Sequence, residues 1–289
     1  MIAKREVNAL LELLDDPDEF VFAAVTTKLL DYGKEILPHL EYMWENTTNQ
    51  EVQHRVSSLI HRVHFRALQA EFLSWAKSEN PDVFVGAALI AKYADPSIDM
   101  ADLHDKLDQF KRFIWLEINN YMTPLEQVKV FHTIIWDYFK VKGHELSHLN
   151  PEHFFVNRLF NQKNGNCYSI GVVYLALCEY LDIPVFAVDI PRQFLFAYID
   201  TIQNYIFPGL ESATQILFYI DPTTGLLYTQ EDVDQYLKKL SLNFENLDLR
   251  PLQNMQIIAR MMEELILCYT TNKEEEKARE IGELLKMIK

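Results

Sequence analysis

The chain has 289 residues, of which 49% are hydrophobic and 24% charged, and its 42 acidic and 27 basic side chains leave a formal charge of −15. These apolar and charged fractions exclude wholesale disorder. So negative a surface repels phosphate backbones and anionic membranes, so no nucleic acid and no membrane are expected as partners. Three cysteines, Cys167, Cys178 and Cys268, with no C-x-x-C pair support neither a disulfide framework nor a cysteine zinc site, which reads as a reduced, cytoplasmic protein.

The amino terminus, Met1-Ile2-Ala3-Lys4-Arg5-Glu6, runs into an amphipathic stretch with no small-residue cleavage site, unlike a signal peptide. The longest uncharged apolar run, 165–178, is too short to span a bilayer. The first hundred residues repeat. Val21, Val25 and Leu29 hold the i, i+4, i+8 spacing of one helix face; Val52, Val56 and Ile60 recur 31 positions later, and Val83, Ala87 and Ala91 another 31 on. Turn signals at 15–18, 47–50 and 80–82 precede each set, and second helices are expected at 36–44 and 68–76. Helix pairs at this period stack into a short solenoid. The phrase from Leu13-Leu14-Asp15-Asp16-Pro17-Asp18 to Gly33-Lys34-Glu35-Ile36-Leu37-Pro38 resembles a HEAT repeat; the alternative is an irregular helical bundle.

Helices continue over 100–118, from Thr123 as N-cap and Pro124 at the first helical position to 142, and over 151–160. The stretch 165–225 differs in kind. Gly165-Asn166 opens a helix at Cys167 whose Ile170, Val172, Val173, Leu175, Ala176 and Leu177 leave almost no polar stripe, so it must be covered on most sides. Aromatic and β-branched runs at 184–190, 194–199 and 216–220 read as strands, antiparallel and covered on one face by that helix. Helix returns at 231–240, and 251–269 with 273–288 reads as a terminal helical hairpin.

A cysteine at a helix start sits where free backbone N–H groups favour its thiolate, which singles out Cys167; Cys178 and Cys268 read as inert packing residues. A nucleophilic cysteine needs a base and a group to orient that base. Asp221, heading the turn Asp221-Pro222-Thr223-Thr224-Gly225, is a candidate for the second role, although Asp before Pro also simply makes turns. All nine histidines precede Cys167. His54, His61 and His64 share a helix without a carboxylate ligand pattern, so no metal site is expected.

Gly165-Asn166-Cys167 with its buried helix, Leu181-Asp182-Ile183-Pro184-Val185, Pro191-Arg192-Gln193-Phe194-Leu195 and Tyr219-Ile220-Asp221-Pro222 together resemble the core of the transglutaminase-like superfamily, a papain-like fold. The lead-in Ala88-Leu89-Ile90-Ala91-Lys92-Tyr93-Ala94-Asp95-Pro96 and the segments at 150–152 and 156–159 resemble its bacterial SirB-type branch, and the terminal hairpin resembles that branch's tetratricopeptide-like tail. The resemblance implies an α+β, mostly helical chain: HEAT-like solenoid at 1–80, helical lead-in at 81–161, transglutaminase-like core at 162–245 and tetratricopeptide-like tail at 246–289. It implies no cofactor.

Carried over residue by residue, Cys167 matches the nucleophile and Asp221 the orienting acid, while Gln193 stands where the base histidine is expected; Asn166, Tyr168 and Asn157 are groove-lining candidates. An amide cannot take the thiol proton near neutral pH. Three readings stay open: a non-catalytic module that binds a protein or peptide; a cysteine peptidase, amidase or transamidase in which the helix terminus alone activates Cys167 or His144, His148 or His153 supplies the base; and a purely architectural helical scaffold.

Overall fold

Capping side chains set most helix starts in the computed structural model, which describes residues 4–16, 18–190, 193–200, 215–239 and 251–289. Pro17, Pro191, Arg192 and the expected boundary near 245 lie outside the described residues. Asp18, Asp82 and Asp99 each accept a backbone N–H from the first turn of the helix they precede, and Thr123 forms a capping box with Glu126. The chain divides into two units, Met1–Ser74 and Trp75–Lys289.

The first unit holds α1 (Lys4–Glu12), α2 (Glu19–Asp31), α3 (Leu37–Asn46) and α4 (Gln50–Ala76) apart from its last two residues. Val7, Leu14, Val25, Leu29, Leu40, Val52 and Val56 form its core. The sequence reading places two helices in the α4 region, but α4 is one helix of 27 residues. Its sequence contains neither glycine nor proline, so nothing ends it between Ile60 and Leu68.

The second unit is built around a buried helix. It contains α5 (Val83–Ala94), α6 (Met100–Glu117), α7 (Pro124–His132), α8 (Val156–Gln162), α9 (Cys167–Tyr180), α10 (Gln230–Lys239), α11 (Asn254–Thr271) and α12 (Glu275–Leu285). The helix expected to reach 142 leaves α-helical geometry at Thr133, continues as a π-helical turn to Tyr138, and stops. Lys140 takes a left-handed φ of 56°, after which β1 (Lys142–Gly143) pairs in parallel with β2 (Asn164–Gly165). That pairing ties the end of the lead-in helices to the start of α9.

Every residue of α9 from 167 to 178 is buried. Helices α5, α6 and α8 pack against it, and the sheet covers another side. The sheet is antiparallel, in the order β3 (Val185–Ile190), β4 (Gln193–Asp200), β5 (Gln215–Ile220), β6 (Leu227–Tyr228). Strand alternation turns Phe194 and Phe196 of β4 toward α9, where both rings meet Gly171. Leu195, Ala197 and Ile199 turn to the opposite face and pack with Val233 and Leu237 of α10. The buried helix covers one face of the sheet, and the amphipathic α10, with Val233 and Leu237 four apart, supplies a second layer on the other face.

Helices α11 and α12 pack against each other, and the Tyr93 hydroxyl of α5 donates to the buried carboxylate of Glu280 on α12 at 2.6 Å. Among the described residues no helix is long and apolar enough to cross a membrane.

Gly171 tests the closeness of helix and sheet. A Cβ there would lie 2.9 Å from Phe194 Cε1 and 2.9 Å from Phe196 Cζ. Gly171→Val is expected to destabilise the second unit by at least about 1–3 kcal/mol, read from urea unfolding followed by circular dichroism.

Candidate functional site

The first turn of α9 is fixed by its own side chains. Asn166 Oδ1 accepts the backbone N–H groups of Tyr168 at 2.9 Å and Ser169 at 3.2 Å. Ser169 Oγ accepts the Asn166 N–H at 3.2 Å and donates to the His153 carbonyl at 2.6 Å. A Cβ on Gly165 would meet Ser169 Oγ at 2.5 Å and Leu159 Cδ1 at 2.9 Å, so only glycine fits before this cap. The run Gly165-Asn166-Cys167 thus starts the helix and sets the cysteine at its first position.

The backbone N–H groups of Cys167 and Tyr168 favour a thiolate at this sulfur, as the sequence suggested. Burial outweighs them. Withdrawal from water, with the nearby negative charges of Asp221 and Glu264 adding to it, pushes the Cys167 thiol up to about 12. Near neutral pH the site holds an un-ionised thiol, the reverse of the expectation from helix position alone.

Asp221 approaches this thiol through its field and not through a hydrogen bond. Its Oδ1 accepts the Thr223 N–H at 2.7 Å and its Oδ2 the Thr224 hydroxyl at 2.9 Å, closing a turn in which Gly225 takes a φ of +72°. The turn is held from behind by Trp136, whose Nε1 donates to the Thr223 carbonyl at 3.2 Å. His132 lies against Gly225, where a Cβ would fall 2.5 Å from its Nδ1. The sequence reading gave His132 no role, because only tertiary packing brings α7 to the turn after β5.

The three histidines upstream of the core gather near the start of α9. The N–H of His144 donates to the Gly165 carbonyl at 2.8 Å, its ring stacks on His153 with centroids 4.2 Å apart, and its Nε2 meets Asn164 Oδ1 at 3.3 Å. Burial, followed by the neighbouring His144, makes His153 less basic than an ordinary imidazole. His148 Nε2 pairs with Glu264 Oε2 of α11 at 2.6 Å. Among the described residues no imidazole is hydrogen-bonded to Cys167.

Gln193 and Cys167 are not brought together. Gln193 begins β4 on the Leu195 face, away from α9, and lines a cavity of about 310 Å³ with Asp221, Tyr228, Asp232 and Tyr236. On the α9 face the neighbouring residue, Phe194, stacks on Tyr168 with ring centroids 4.7 Å apart, and Tyr168 stacks on Phe154 at 6.1 Å. An aromatic ring, not an amide, is what β4 sets against the first turn of α9. Asn157, on α8, is buried, and its Oδ1 and the Nδ2 of Asn166 have no hydrogen-bond partner among the described residues. Nor do the described residues gather three or more histidine, cysteine or acidic side chains that could hold a metal ion.

The site thus sets a helix-start cysteine beside an antiparallel sheet, with Asp221 directly after its third strand, β5. The family model described as the Transglutaminase-like superfamily matches residues 101–263. The chain belongs to the transglutaminase-like superfamily. No curated protein and no solved structure matches it significantly.

The sheet faces give a direct test. Gln193→His is expected to leave the alkylation of Cys167 by iodoacetamide, followed by peptide mass mapping, unchanged at neutral pH. An acceleration of about tenfold or more would show that an imidazole at 193 reaches the sulfur.

Proposed function

We propose that this chain is a transglutaminase-like protein with a degenerate triad, Cys167, Gln193 and Asp221, that binds a protein or peptide without processing it. The observation that carries the proposal is the setting of Cys167: buried, and hydrogen-bonded to no imidazole among the described residues. A thiol is a weak nucleophile until a base removes its proton, and neither Gln193 by sequence nor Phe194 by position accepts one. The same reading makes the chain a bacterial, cytoplasmic protein of the SirB type, with HEAT-like repeats at 1–80 and a tetratricopeptide-like tail at 246–289. Repeats of those kinds present extended binding surfaces. No cofactor belongs to this reading.

One observation favours a second reading. His144, His148 and His153 flank the start of α9, so a rearrangement that frees one of them from its present partner gives a cysteine peptidase, amidase or transamidase. Turnover separates the two. Purified protein and its Cys167→Ala variant are expected to show the same background rate, within about twofold, on fluorogenic peptide amides and in amine incorporation into a glutamine peptide. Release or incorporation that disappears with Cys167→Ala would overturn the binding-module reading.

A further inference from the structure

The cavity on the far face of the sheet is lined by Gln193 and Asp221 but not by Cys167, and its chemistry is selective. Its floor is apolar, made by Ile190, Leu195 and Val233. Its walls carry two carboxylates, Asp221 and Asp232, two tyrosines, Tyr228 and Tyr236, and one ammonium, Lys239. Both carboxylates raise the Tyr228 hydroxyl above its ordinary value, after burial, which puts that hydroxyl within the field of each. Asp232 is held as a carboxylate by the Thr229 N–H and hydroxyl, which reach its Oδ2 at 2.8 and 2.7 Å and leave Oδ1 unused. Asp221 likewise spends its contacts within its own turn, so neither carboxylate is ion-paired with a cation among the described residues. Lys239 forms no ion pair with a described residue and supplies one positive charge against two negative ones.

We infer that this cavity receives the guanidinium of an arginine side chain from a protein partner. A planar cation stacks on tyrosine faces and donates paired hydrogen bonds to carboxylates, while its stem covers an apolar floor. A single such charge balances the cavity, and a chain of formal charge −15 attracts basic segments from a distance. Gln193 and Gln235 add neutral acceptors at the rim. The inference rests on the binding-module reading and names what that module recognises.

The probe is a blocked tripeptide, acetyl-Gly-Arg-Gly-amide, titrated into the full chain by isothermal calorimetry or protein NMR, against the citrulline peptide, which keeps the shape and removes the charge. The arginine peptide is expected to bind at least about tenfold more tightly than the citrulline peptide. Asp232→Asn keeps the helix-capping oxygen and is expected to weaken arginine binding about tenfold, whereas Lys239→Ala, which removes the competing cation, is expected to strengthen it several-fold. A variant that merely misfolds cannot strengthen binding, so the opposite directions keep the test sound. Equal binding of the two peptides, no binding of either, or no response to both substitutions overturns the inference. Those outcomes leave the binding-module reading standing, because that reading falls only if turnover depends on Cys167.

Discussion

Between Gly171 and the rings of Phe194 and Phe196 there is no room for a side chain. That contact lets the sheet lie against α9 so closely that water is shut out along the helix, and the other features of the second unit follow from it. Packing of α5, α6 and α8 on the remaining sides leaves residues 167–178 buried throughout. A thiol set at the start of such a helix loses solvent faster than the helix dipole can compensate, so the same burial that stabilises the fold keeps Cys167 protonated.

The helix start has structural requirements of its own. Gly165 and Asn166 are required by packing and capping whether or not Cys167 reacts, since a Cβ at 165 collides with Ser169 Oγ and Asn166 satisfies two backbone donors. Asp221 is required by its turn, which Thr223, Thr224 and Gly225 complete. Each has a structural reason to persist. Against the first turn of α9, β4 sets Phe194, stacked on Tyr168. Membership of the transglutaminase-like superfamily therefore describes the fold, while catalysis is a separate question.

Much of this arrangement was legible in the sequence because it depends on local signals. The buried helix follows from its missing polar stripe, its start from Gly165-Asn166, and three of the strands from β-branched and aromatic runs bounded by turns. Elements that depend on tertiary partners were not legible. The two-residue strands β1, β2 and β6 carry no period of their own, and the coverage of the second sheet face by α10 shows only once Val233 and Leu237 meet Leu195 and Ala197. Face assignment was the subtler failure. A motif aligned on Gln193 misses that a shift of one residue along a strand changes the side of the sheet, and the residue facing α9 is Phe194. Likewise a helix-start cysteine suggests a thiolate until its burial, and after it the charges of Asp221 and Glu264 brought from two other elements, are set beside it.

The claim that burial governs Cys167 is tested most directly by its own titration. The ultraviolet absorbance of the thiolate, taken as wild type minus Cys167→Ala while circular dichroism confirms the fold, reports ionisation of this one sulfur. In the unfolded chain the thiol ionises near its ordinary value of 9.0, whereas in the folded chain it holds its proton toward about 12. The stability contributed by keeping it neutral is thus complete below the unfolded value and is lost as pH rises through the folded one. The account predicts no Cys167 thiolate signal in folded protein up to and beyond the ordinary thiol value. A midpoint at or below that value would contradict it and return Cys167 to the reactive class.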